Sequence, residues 1–211
     1  MTDIQPPKKE SSYPAIALLE FASITGGLRS ADAMIKKAPI TVMKSGTVHN
    51  GKYLVLIGGT VASVEEAYQE GSTVGHDQLV DRVCLPQVNP QVRDGILGAK
   101  QACPGPALGI LETSTVAACI RAADPAVKGT DVMLTEIRLA DDLGGKAFAL
   151  FTGELYEVES ALEIARATDP QGQFVIQDSL IPNLHPEMAD QVTTSSWFSR
   201  LPLTKLQDGE L

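Results

Sequence analysis

The chain has 211 residues, enough for one large domain or two small ones. Its apolar share of 44% suffices to build cores, while no apolar run reaches the roughly 18–20 residues that span a bilayer. The net charge of −9 sits in the second half: residues 1–103 hold ten basic and ten acidic side chains, residues 104–211 seven and sixteen, a balance that argues against nucleic acid as a partner.

Residues 1–12 mix Pro, Lys, Glu and Ser, lack the apolar centre of a signal peptide, and are expected to form a disordered tail. Residues 15–21 are an apolar run suited to a buried strand, which Gly26-Gly27 breaks. Leu28, Ala31, Ile35 and Ala38 then recur at spacings of three and four, one face of a helix that Pro39 ends. Residues 40–44 and 53–57 read as two strands of a hairpin around a polar loop at 45–52. Val61, Val64, Ala67, Tyr68 and Gly71 form the apolar stripe of a second helix, and residues 78–88 supply a last strand.

This order then repeats. Aligning residues 15–36 with 107–128 leaves seven of 22 positions identical, among them Leu19/Leu111, Glu20/Glu112, Arg29/Arg121, Asp32/Asp124 and Lys36/Lys128. Gly51-Lys52 returns as Gly145-Lys146 at an offset of 94, and Pro86-x-x-Asn89-Pro90 as Pro182-x-x-His185-Pro186 at 96. The offset changes only where loops are expected. A period this long exceeds the roughly 20–50 residues of a solenoid repeat, so the chain is read as a tandem duplication of a small domain. Each copy has the order β-α-β-β-α-β, a ferredoxin-like α+β fold with helices on one face of an antiparallel sheet. The copies are placed at 13–92 and 106–187, with a linker at 93–105 and an extension at 188–211 that has no counterpart in the first copy. The extension holds Trp197, the only tryptophan, and is read either as a tail over its own domain or as a contact element for a neighbour.

The chain resembles the bacterial microcompartment shell proteins, specifically their tandem-domain members of the propanediol-utilisation type. The resemblance rests on Leu-Glu at the end of strand one (Leu19-Glu20, Leu111-Glu112) and on Ala-Asp-Ala-Met-Ile-Lys at 31–36 with its echo at 123–128. It rests also on Gly-Lys at 51–52 and 145–146, Gly-x-[VL]-x-x-Val-Glu from Gly59 and from Gly153, and Ile-Pro-x-x-His at 181–185. It covers three quarters of the chain. The resemblance implies a homotrimer that mimics a hexamer, a plate that tiles a shell with hexameric and pentameric shell proteins around encapsulated enzymes, stacked trimers as one arrangement, and a central pore that passes small metabolites. It places the protein in a microcompartment shell within the cytoplasm and implies no catalysis. Three chains of two alike domains also make physical sense as a closed head-to-tail ring.

By the same resemblance the loop between strands two and three lines the pore. Its residues are Gly46, Thr47, Val48, His49, Asn50 and Gly51 in the first copy. In the second they are Ala140, Asp141, Asp142, Leu143, Gly144 and Gly145, within a loop taken as 138–145. Lys36 and Lys128 match the lysine that meets its counterpart at the edge between tiles. Two departures stand out. Gln87 and Asn183 occupy places where family members often carry an Arg that supports this edge contact. His49 stands near the position of a pore cysteine that holds an iron–sulfur cluster in the propanediol-type relative, so no cofactor is carried over.

Three copies of His49 on an axis would be a candidate metal site, set against a plain polar loop residue. Asp141-Asp142 from three chains would ring the mouth with carboxylates and favour cations over anions, set against a solvated turn. Cys84, Cys103 and Cys119 fit no zinc or iron–sulfur spacing and are odd in number, so they read as free thiols, with a centre of one cysteine per chain as the alternative. No P-loop, catalytic triad order or metal-ligand spacing is present in the sequence. The leading reading is a structural transport tile. Its rivals are a tile carrying a metal or iron–sulfur centre for electron transfer, and a trimeric regulator that binds a small molecule.

Overall fold

A computed structural model describes residues 13–204; the tail read at 1–12 and the last seven residues of the extension lie outside them. The first half runs β1 (Ala15–Phe21), α1 (Ile24–Lys37), β2 (Val42–Val48), β3 (Lys52–Gly59), α2 (Val61–Val74), β4 (Leu79–Leu85) and α3 (Pro90–Ile96). The second half repeats it as β5 (Ala107–Thr113), α4 (Val116–Gly129), β6 (Met133–Leu139), β7 (Ala147–Gly153), α5 (Leu155–Ala167), β8 (Val175–Ile181) and α6 (Pro186–Thr194). The sheets are ordered β2-β3-β1-β4 and β6-β7-β5-β8, with antiparallel neighbours throughout. This is the ferredoxin-like arrangement expected for each copy.

β1 is buried along its whole length because both of its faces are covered. Ala15, Ala17, Leu19 and Phe21 meet α1 and α2 in one core with Met34, Val55, Ile57 and Val64. Ile16 and Leu18 point the other way and join Val83 in a second core with α3, α4 and the sheet of the second half. The period of two along the strand therefore splits one apolar run between two cores, and the larger of these is shared by the halves. A smaller core lies on the far side of the second sheet, where Leu108, Leu150 and Leu184 meet Ala189 and Val192 of α6.

Several expectations are corrected. Gly26-Gly27 does not end a strand but lies in the first turns of α1, whose N-cap Ser23 accepts the Gly26 amide. The buried face of α1 is Gly26, Gly27, Ser30, Ala31 and Met34, whereas Leu28 and Ile35 are exposed. Glycine is needed there: a Cβ on Gly27 would stand 2.4 Å from Tyr53 Cδ1, and one on Gly71 of α2 would stand 2.5 Å from Met34 Sδ. Small residues let helix and sheet approach closely, so the larger side chains turn outward.

β2 ends at Val48 rather than at 44, so Gly46, Thr47 and Val48 are edge-strand residues, paired with Leu54, Tyr53 and Lys52. Glycine is tolerated in an edge strand, and Gly46 has open space around its Cα. In the second half, Arg138 and Leu139 likewise belong to β6. The last strand is Leu79–Leu85, shorter than 78–88. The stretch read as a linker contains the second half of α3, and the extension does have a counterpart: α6 repeats α3 at an offset of 96. Both helices have Pro at their start and a side-chain cap, Asn89 Oδ1 accepting from Gln91 N and His185 Nδ1 from Glu187 N.

Candidate functional site

Two hairpin turns, one from each half, lie side by side. The first is a single 3₁₀ turn, His49–Gly51, closed by Asn50 (φ 68°) and Gly51 (φ 70°) in the left-handed region. The second spans residues 140–146. Here Ala140 (φ 52°), Asp142 (φ 60°), Gly144 and Gly145 all have positive φ. Such angles cost an alanine or aspartate energy unless the surroundings enforce them. The surroundings do: Ala140 is fully buried, its amide bonds Lys146 O at 2.9 Å, and its carbonyl accepts the Leu143 amide at 3.1 Å.

The turns touch through His49. Its Nδ1 accepts the Asp142 amide at 2.9 Å, and its Nε2 lies 3.2 Å from Asp142 Oδ1. With Nδ1 accepting, Nε2 is the ring nitrogen left beside the Asp142 carboxylate. Asp141 Oδ1 is 3.7 Å from Nδ1. Both ring nitrogens are thus engaged by the second turn. Among the described residues no group of three or more His, Cys, Asp or Glu side chains is placed to hold a metal ion.

Beneath the turns lies a charged network that the repeat marks twice but that its separate motifs did not connect. Lys52 Nζ donates to Glu20 Oε1 at 2.6 Å and reaches Gly145 O at 3.3 Å and Ser114 O at 3.4 Å. Glu20 Oε2 accepts the Val116 amide at 2.8 Å, at the N-terminus of α4. Glu20 has no exposed surface, and burial raises its carboxyl pKa despite Lys52 and the helix amides, which pull it down. In the second half, Lys146 donates to Glu112 at 2.7 Å, but this pair is far more open. The Gly-Lys and Leu-Glu motifs are thus two ends of one ion pair.

A second tie across the halves also escaped the sequence. Arg121 holds Asp81 in a two-pronged contact (3.1 and 3.2 Å) and donates to Arg82 O at 2.9 Å, while Thr115 Oγ1 donates to the same carboxylate at 2.6 Å. Only the identity of Arg29 and Arg121 hinted at it. The two matched lysines differ in setting. Lys36 pairs with Asp32 at 2.6 Å on an exposed face. Lys128 pairs with Asp124 at 2.5 Å and donates to Gln87 O, and Asp124 in turn accepts the Asn89 amide, so Lys128 helps to fasten the halves together. Of the three free cysteines, Cys119 is fully buried and its thiol pKa is pushed up to about 12, which suppresses the thiolate that metal binding needs.

A family model described as the BMC domain matches residues 15–88 and again 107–184. The chain is 36% identical over 178 residues to the bacterial microcompartment shell protein PduT of Citrobacter freundii, covering 84% of this chain and 97% of that one. It is 25% identical over 169 residues to the carboxysome assembly protein CcmO of Synechocystis, covering 74% of this chain and 56% of that one. A crystal structure of a microcompartment protein from Desulfitobacterium hafniense DCB superposes with a TM-score of 0.73 at 36% identity, covering 85% of this chain and 99% of that one. With one such domain in each half, and with this likeness along most of its length, the chain belongs to the tandem BMC-domain shell proteins of bacterial microcompartments.

Proposed function

We propose that the chain is a non-catalytic structural tile that closes three-fold into a pseudohexamer around a central pore for small metabolites. The observation that carries this reading is an interface completed once inside the chain and left open once. Val116, Ile120 and Val127 of α4 are buried in the core shared with the first sheet. Ninety-two residues earlier, Ile24, Leu28 and Ile35 of α1 stand 43%, 52% and 55% exposed. Glu20 is likewise sealed under the N-terminus of α4, whereas Glu112 is more open and, among the described residues, accepts from Lys146 but from no helix amide.

A second chain that repeats the relation of the two halves would bury the row on α1 and bring the Ile24 amide to Glu112. Such a contact is head-to-tail and continues until the ring closes. Three chains of two wedges, 13–92 and 106–187, make a six-sided plate. In it the turns around His49 and Asp141-Asp142 rim the axis, where carboxylates favour cations and neutral metabolites over multiply charged anions. Lys36 is the more available edge lysine, because Lys128 is engaged within the chain. The partners are then hexameric and pentameric shell proteins around encapsulated enzymes, in a shell within the cytoplasm.

Sedimentation of the purified chain tests the ring: a trimer is expected, and a monomer at working concentration refutes it. Co-expression with a hexameric shell protein tests the tile: mixed sheets in electron micrographs are expected, and exclusion from them counts against it.

A further inference from the structure

We propose that the cleft between the two halves is a binding site for a small organic anion, a short apolar chain bearing a carboxylate or a phosphate monoester. The cleft has a volume of about 450 Å3, within the range of small-molecule sites. It is walled by β2, the end of α3, β6 and the segment after α6. Its floor is apolar, with Leu18, Leu54 and Leu56 from the back of the first sheet and Ile96 and Ile137 opposite. Its charged lining is four basic side chains, Lys44, Lys100, Arg138 and Arg200, against Glu136 and Asp141. That is a positive cleft in a chain whose net charge is −9.

The acidic members leave this excess in place. Glu136 is occupied by Lys100 at 2.7 Å and by the Ser196 hydroxyl at 2.7 Å. Asp141 lies toward His49. Arg138 and Arg200 both stack on Trp197, with guanidinium carbons 3.6 and 4.8 Å from the ring centre. The indole attracts both cations, yet neither arginine has an ion pair with a carboxylate among the described residues. Arg138 donates only to neutral oxygens, Ser196 O and Oγ and Asp141 O, all at 3.3–3.4 Å. Its Nε is buried with no hydrogen-bond partner, and a buried donor left unpaired is costly. Two like charges sharing one ring, Arg138 held otherwise only by long bonds to neutral oxygens, form a receptor for a negative group. The apolar floor selects an anion that carries a hydrocarbon chain. The site uses residues of one chain, although Gly46, Thr47, Val48 and Asp141, which the proposed ring places at its pore, also border the cleft.

Trp197 is the only tryptophan, so its emission reports occupancy directly. The full chain is titrated with butyl phosphate and with hexanoate, with 1-butanol as the uncharged control and calorimetry as a second readout. A saturable change with one or both anions, in the millimolar range or tighter, is expected, and the arm that saturates identifies the head group. Arg200 lies exposed on the segment after α6, so Arg200→Gln leaves the domains intact. It should weaken binding about tenfold, as loss of a hydrogen bond to a charged group does. No saturation by either anion, equal binding of 1-butanol, or unchanged affinity in Arg200→Gln overturns the assignment.

Discussion

Lys52 Nζ lies 2.6 Å from Oε1 of Glu20, a carboxylate with no exposed surface whose other oxygen accepts the Val116 amide at 2.8 Å. One ion pair thus joins the first hairpin, the end of β1 and the start of α4. Removing only the cation strands a buried charge, so Lys52→Met should cost about 3–5 kcal/mol. The double variant Lys52→Met/Glu20→Gln should cost less, and urea unfolding of both reads the difference.

The same carboxyl gives a pH dependence. Its pKa in the fold is raised, chiefly by burial, so the folded chain holds this proton more tightly than the unfolded one. Its stabilising contribution is complete below the unfolded pKa and is lost as pH rises through the folded value. Stability of the wild type should therefore fall across that acidic window relative to Glu20→Gln. Parallel stability profiles for the two proteins would remove the claim.

Leu28 and Ile120 occupy the same place in the repeat but opposite surroundings, 52% exposed and fully buried. Ile120→Ala should cost about 2–5 kcal/mol in unfolding. Leu28→Asp should leave the fold of the single chain intact, within about 0.5 kcal/mol as for other surface changes, and should convert trimers to monomers in sedimentation. A Leu28→Asp trimer as tight as wild type contradicts the ring.

Gly27 and Gly46 separate two uses of glycine. A Cβ at Gly27 would meet Tyr53 Cδ1 at 2.4 Å, while at Gly46 it would meet nothing within 4 Å. Gly27→Ala should destabilise by about 1–3 kcal/mol through overpacking. Gly46→Ala should stay within about 0.5 kcal/mol, and thermal unfolding of both checks the contrast.

Asp141 and Asp142 stand half or more exposed beside His49. Replacing both with Asn should raise passage of multiply charged anions through assembled shells, since a ring of like charge sets selectivity. Unchanged anion leakage rejects a role for these carboxylates in the pore.

The duplication, the β-α-β-β-α-β order within each half and the antiparallel α+β class are legible in the sequence, because apolar periods and breaker residues are local and the repeat states them twice; the short closing helices α3 and α6 are not. The apolar run of β1 reads as a buried strand, but that its second face is covered by the other half emerges only from the tertiary structure. Local pattern could not say where β2 ends, because Gly46 and Thr47 resemble a loop until β3 pairs with them. Nor could it tell that Leu28 faces out while Ile120 faces in, since the two side chains are alike and only the neighbouring sheet differs. Glu20 with Lys52 and Asp81 with Arg121 meet across 32 and 40 residues of chain. Contacts of that reach depend on how two halves dock, and docking is decided by the summed fit of both surfaces rather than by any one segment.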